Sequence, residues 1–176
     1  MMLKKFAFVA AVCALPALAQ ANNTIRFVGE VTAQTCSVSV NGLQANPVVL
    51  LPSVAVAQLN RTGNAGETPF TISVQGCTAN EENPISVSTV FVAADMTTAG
   101  NIANTTGTAS NVELQLLNAV NGTPVNLRTT SSVPLATLAA GSTSAERQYA
   151  IRYFTPSNNA TAGSVGGSLQ YSLAYP

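Results

Sequence analysis

The sequence contains no histidine, which removes the side chain most used as a general base or metal ligand near neutral pH. Charge is scarce as well: seven Lys and Arg and seven Asp and Glu make up 8% of the 176 residues. No basic stripe is present to track phosphates, so nucleic acid is not expected as a partner. The carboxylates are scattered, and only Glu81 and Glu82 are adjacent, in an expected turn before Pro84. No phosphate loop, dinucleotide fingerprint or nucleophile elbow occurs; Gly163-Ser164-Val165-Gly166-Gly167 misses the last of these. An enzyme, a cofactor or a bound metal is therefore not expected.

Long apolar runs are also missing, except near the start. Lys4 and Lys5 precede an apolar stretch from Phe6 to Leu18, and Ala19-Gln20-Ala21 supplies the small residues a signal peptidase reads. The stretch is short for a bilayer span. Residues 1–21 are read as a cleaved signal peptide, with a retained anchor as the alternative. The mature chain from Asn22 would hold five Arg against seven acids, a net charge of −2. Its wealth of Ala, Thr, Ser, Asn, Val and Gly suits a protein that packs against copies of itself.

Of three cysteines, Cys13 leaves with the signal. Cys36 and Cys77 then enter an oxidising compartment, where a disulfide between them is the default. Two free thiols or a bridge between chains are the alternatives. A loop of about 40 residues closed in this way stabilises by roughly 3–4 kcal/mol in the chain-entropy model.

What is abundant is period-two alternation, with no helical period to rival it. Phe70, Ile72 and Val74 alternate with Thr71 and Ser73; Val112, Leu114 and Leu116 with Glu113 and Gln115; Tyr149, Ile151 and Tyr153 with Ala150 and Arg152. Asn41-Gly42, Asn121-Gly122 and Gly163 punctuate these runs, and Pro47, Pro52, Pro84, Pro124 and Pro156 mark loops or strand ends. Many short strands in one domain predict an all-β sandwich or barrel. The Thr/Ala/Asn/Gly-rich stretch 97–110 reads as a long surface loop, and residues 53–59 as a short helical turn.

Both ends of the mature chain carry unusual strands. From Gly163 to Pro176 the apolar residues Val165, Leu169, Tyr171, Leu173 and Tyr175 share one phase with Gly163 and Gly167. Near the other end Ile25, Phe27, Gly29 and Val31 share one phase, but Cys36, Val38 and Val40 take the opposite one. A change of parity flips every side chain to the other face of a strand. The segment is therefore read as two elements, an arm at 22–34 and a domain at 35–176.

These features together resemble one family. Gly29-Glu30-Val31 ahead of Cys36-Ser37-Val38 is similar to the start of mature pilins of the type 1 fimbrial class. Cys77 follows an alternating Phe-x-Ile-x-Val run as it does there. Asn111 to Leu117 and Ile151 to Phe154 look like strands of those subunits. The penultimate Tyr175, with Gly163 fourteenth from the C-terminus, matches the family's C-terminal signature.

The resemblance implies an incomplete immunoglobulin-like sandwich that lacks its final strand, leaving an apolar groove beside the C-terminal strand. In such pilins a periplasmic chaperone fills the groove first. At the outer-membrane usher the arm of the next subunit replaces it, and repeated exchange builds a surface fibre that supports adhesion. Here Ile25, Phe27, Gly29 and Val31 would be the donor strand, while Gly163, Val165, Leu169, Tyr171, Leu173 and Tyr175 would border the groove. The partners implied are identical or related pilins, the chaperone and the usher. A minor adaptor of the same pilus is the nearest alternative, and a self-complete secreted immunoglobulin-like binding module is the alternative of another class.

Overall fold

Short apolar–polar repeats fold into strands because alternate side chains leave a strand on opposite faces, so one face enters a core. The computed structural model describes residues 36–78, 80–129 and 132–175. The expected signal peptide and the arm with Ile25, Phe27, Gly29 and Val31 lie outside the described residues. Within them the strands are β1 (Ser37–Val40), β2 (Asn64–Gln75), β3 (Ile85–Ala93), β4 (Ile102–Ala103), β5 (Glu113–Leu117), β6 (Ser132–Leu138), β7 (Ala145–Phe154) and β8 (Leu169–Ala174). A helix α1 (Val56–Thr62) precedes β2. The strands form a five-stranded sheet, ordered β1-β2-β7-β5-β4, and a three-stranded sheet, ordered β6-β3-β8. Every pairing is antiparallel. The expected all-β class is therefore what the chain adopts.

The predicted inward residues supply the core. Ile72, Val74, Leu116 and Tyr149 are fully buried, and Phe70 and Phe91 nearly so. Tyr149, on β7, fastens the two sheets together. Its ring stacks on Phe70 at 5.8 Å and meets the edge of Phe91, on β3, at 5.3 Å. Its hydroxyl donates to Thr89 Oγ1 at 3.1 Å, which satisfies two polar groups buried at 0% exposure. Cys36 and Cys77 are joined, tying the start of β1 to the residues just after β2.

Three local readings differ from the structure. The helix runs three residues later than expected, because Gly63, in the left-handed region at φ 76°, sets its end and donates to the Leu59 carbonyl at 2.8 Å. Leu59 thereby becomes its one buried residue. The clean alternation expected of β5 and β7 fails on their outer side, where Gln115, Leu117 and Ala150 are also buried. The chain at 123–127 runs alongside the end of β5, bridging Leu117 through Pro124 and donating from Val125 N–H to the Leu116 carbonyl. Finally, 97–110 is a packed segment that contains β4 and buries Asn101, Ile102 and Ala109. Side-chain amides stand in for strand partners there: Asn104 Oδ1 accepts from Gly107 N–H and Gly166 N–H, and its Nδ2 donates to the Ala109 carbonyl.

Two measurements check this account. Replacing Cys36 and Cys77 by Ser should lower stability by roughly 2–5 kcal/mol, read as a lower urea midpoint with a steeper slope, because the unlinked denatured chain exposes more surface. Burial raises the Tyr149 and Tyr153 phenols above 10, the Thr89 bond and the Arg147 charge only partly offsetting this for Tyr149. The folded state therefore holds these protons more tightly than the unfolded chain. Their contribution is complete below pH 10 and is lost as pH rises through the folded values. Tyr149→Phe should flatten that alkaline decline in a pH series of urea titrations, while leaving Thr89 Oγ1 without its donor at about 1 kcal/mol.

Candidate assembly groove

Neighbouring strands lie about 4.8 Å apart, so three strands cannot roof a face five strands wide. The shortfall appears beside β8. Among the described residues β8 pairs with β3 alone, from Ser88↔Ala174 to Ala93↔Leu169. Leu169, Tyr171 and Leu173 turn inward and half bury themselves against the core, whereas Gln170 and Ser172 face solvent. Tyr175 continues the inward row just past the strand. The phase expected for these four residues is the phase observed.

Next to this row opens an apolar cleft of about 250 Å³. Its floor is the five-stranded sheet, through Phe70, Ile72, Leu114, Leu116 and Ile151. One wall is Gly167 to Leu169 with Tyr171, and the other is Pro47, Val49 and Leu51. Sequence reasoning missed this second wall and saw only prolines that mark a loop. The signal was hidden because Val48-Val49-Leu50-Leu51 is apolar throughout, yet the structure resolves it into alternate sides. Val49 and Leu51 face the cleft, while Val48 and Leu50 are 71% and 82% exposed. Among the described residues no backbone hydrogen bond is made by 47–51. Continuing both walls, residues 53–56 and 161–165 enclose a second cleft of about 340 Å³ over Val112 and Tyr153.

The expected groove-edge strand is shorter than its pattern. Gly163 and Val165 precede β8 and are laced to 105–109 instead of to β3. Ser164 O accepts from Ala109 N–H at 3.0 Å, and Gly166 O accepts from Thr105 N–H at 3.0 Å. Gly163 is glycine for a packing reason, since a Cβ there would lie 2.4 Å from Ala109 N. Val165 packs against the main core and also against a smaller cluster of Leu59, Ala65, Ala109, Val112 and Ala160.

The other sheet edges are unsuited to strand addition. β1 has four residues and β4 two. The part of β2 that β1 leaves uncovered holds Pro69 and a break in register between Ala65 and Thr68. β6 carries Pro134 and an irregular pairing to β3. Short strands, proline and bulges all discourage a further strand. β8 has none of these features, and no charge.

Fold and groove define a structural all-β subunit built on apolar strand packing. The family model described as fimbrial protein matches residues 25–176. The chain is 35% identical over 158 residues to the F17 fimbrial protein of Escherichia coli, covering 86% of each. It is 33% identical over 167 residues to the major fimbrial subunit SMF-1 of Stenotrophomonas maltophilia, covering 88% of this chain and 93% of the relative. Its fold is that of the P pilus rod subunit PapA, with a TM-score of 0.60 at 12% identity over 80% of this chain and 99% of the other. The chain belongs to the fimbrial protein family. It is a non-enzymatic structural subunit of a chaperone–usher pilus, exported and assembled with other pilin subunits at the cell surface.

Gly163→Val should force the 163–166 segment away from Ala109. Overpacking of this kind costs about 1–3 kcal/mol, and thermal melting should show it, whereas the same change at exposed Gly42, which meets nothing within 4 Å, should act only through its backbone strain at φ 80°.

Proposed function

We propose that this subunit polymerises by donor-strand complementation, with the arm 22–34 of one copy lying in the groove of the next. The observation that carries the reading is the contrast among edges: β8 is uncharged, free of proline and regular in its pairing beside an open apolar cleft, while every other described edge is blunted. An extended segment laid between β8 and 47–51 would find backbone groups on both sides and apolar floor beneath. Ile25, Phe27 and Val31 would each stabilise by about 1.5–3 kcal/mol on burial, before ordering costs are subtracted. Gly29, in their phase, would let backbone approach the floor closely.

The donor acts on a neighbour, because an arm folded into its own groove would end growth. Such head-to-tail contacts are heterologous and produce open filaments. Before assembly the groove is covered by the strand of a periplasmic chaperone, and exchange takes place at the outer-membrane usher. Similarity to a protein named as a major fimbrial subunit supports the role of repeating fibre subunit over that of minor adaptor, and the fibre's role is adhesion to surfaces.

Deleting Asn22–Ala33 should leave a subunit that still binds chaperone but no longer enters the groove of its neighbour. Leu173→Asp should impair both steps, since both use the β8 edge. Denaturing gels of unboiled fibres report the outcome as a ladder of resistant oligomers. A full ladder from the truncated protein would sink the donor assignment, and a monomer-only pattern from the intact protein would favour a self-complete binding module.

A further inference from the structure

Ahead of β8, side chains complete one wall of the groove. Ser164 and Gly166, two residues apart, turn both their backbone groups toward 104–109. Ser164 O accepts from Ala109 N–H and Gly166 O from Thr105 N–H, each at 3.0 Å. Ser164 N–H donates to Thr108 Oγ1 at 3.0 Å, and Gly166 N–H to Asn104 Oδ1 at 2.8 Å. This is a strand edge in which two of the four partners are side chains. In extended chain the residues between turn their backbone groups the other way. Those residues are Val165 and Gly167, whose N–H and C=O groups have no partner among the described residues. Segment 104–109 follows β4, at the edge of the large sheet farthest from β1, whereas the wall 47–51 follows β1. The paired side of 164–166 therefore faces away from 47–51, and the unpaired side faces the groove. Gly167 lines the first cleft and Val165 the second.

Asn104 is the centre of this arrangement. Its Oδ1 also accepts from Gly107 N–H at 3.0 Å, and its Nδ2 donates to the Ala109 carbonyl at 2.8 Å and to Ser164 O at 3.4 Å. One half-buried carboxamide thus shapes 104–109 and fastens 164–166 to it. Resting on the donor-strand reading, we propose that Asn104 is a positioning residue for strand exchange. By holding 163–167 in line with β8, it lengthens the edge that receives the arm of another copy. The inference rests on length. The arm 22–34 has thirteen residues, more than twice the six of β8. Residues 163–174 number twelve and match it to within one. Gly163, Gly166 and Gly167 leave this extension with few side chains to hold it straight, so its direction depends on the bonds to 104–109. Asn104 lines neither cleft, so it acts through Val165 and Gly167.

The test uses chaperone-bound subunit, intact or Asn104→Ala, and three synthetic peptides: the arm 22–34 and its shortened forms 22–30 and 26–34. Each peptide is exchanged for the chaperone, and the melting temperature of the completed subunit is read. In the intact protein the full arm should melt higher than either short form. In Asn104→Ala one short form should equal the full arm, because the residues it lacks have lost their edge. If the full arm keeps its lead over both in Asn104→Ala, even with all three complexes melting lower, Asn104 supports the fold alone and the proposal falls. It falls too if the full arm has no lead in the intact protein. Should Asn104→Ala yield no subunit, amide exchange in the intact protein, read by nuclear magnetic resonance, decides. Val165 and Gly167 should exchange slowly with the full arm and quickly with one short form, whereas equal exchange with all three overturns the longer edge. Failure of every peptide to displace chaperone from the intact protein would instead sink the donor-strand reading.

Discussion

A face five strands wide, apolar over most of its inner side, meets a partner sheet of only three strands, and the rest of the molecule is arranged around that mismatch. The fully buried residues Ile72, Val74, Leu116 and Tyr149 lie where the sheets overlap. Ile72 and Leu116 also reach the floor of a cleft that Phe70, Leu114 and Ile151 continue where the overlap ends. Nothing is wrong with these residues as core residues; they lack a roof. The fold is stable enough to hold them in place because Tyr149 and the Cys36–Cys77 bridge secure the covered part. The same apolar area is what the proposed donor strand would cover.

Much of this was legible in the sequence, because it rests on parity. Leu169, Tyr171, Leu173 and Tyr175 were assigned to one side by alternation alone, and Cys36, Val38 and Val40 to theirs. Alternation is a direct image of which side chains face the core, so it survives without coordinates. It misled where burial has two sides. Gln115 reads as a solvent residue, yet it is buried while accepting from Arg152 through two hydrogen bonds at 2.9 and 2.6 Å. It also failed where side chains replace strand partners, as Asn104 does for 105–109. The wall at Pro47, Val49 and Leu51 was illegible for a third reason: four consecutive apolar residues carry no period, and only the presence of a cleft on one side separates them.

Polymerisation demands that one edge be open and that the others be closed. A molecule with several receptive edges would aggregate in many registers. Here the two-residue β4, the four-residue β1, Pro69 above β1 and Pro134 in β6 restrict pairing by different means. The glycines at 163, 166 and 167 belong to the same logic. They let the chain pass tightly over 103–109 and arrive at Leu169 in register with Ala93, so that β8 is presented straight along its length.

Direction follows from the connectivity. Cys36 holds the start of β1 at the end of the sandwich where β2 finishes, so on the proposed donor-strand reading the arm would be tethered at that end. The cleft lies toward the opposite half, over Phe70, Leu114 and Ile151, with the second cleft still farther along over Tyr153. On that reading, an arm tethered at one end of a subunit and a groove that opens toward the other would be complementary in series. Reciprocal exchange would give a closed two-fold pair, whereas exchange in series leaves one groove and one arm free at the ends of every oligomer. Growth by one copy then recreates the site that was used, which is the condition for a fibre of indefinite length.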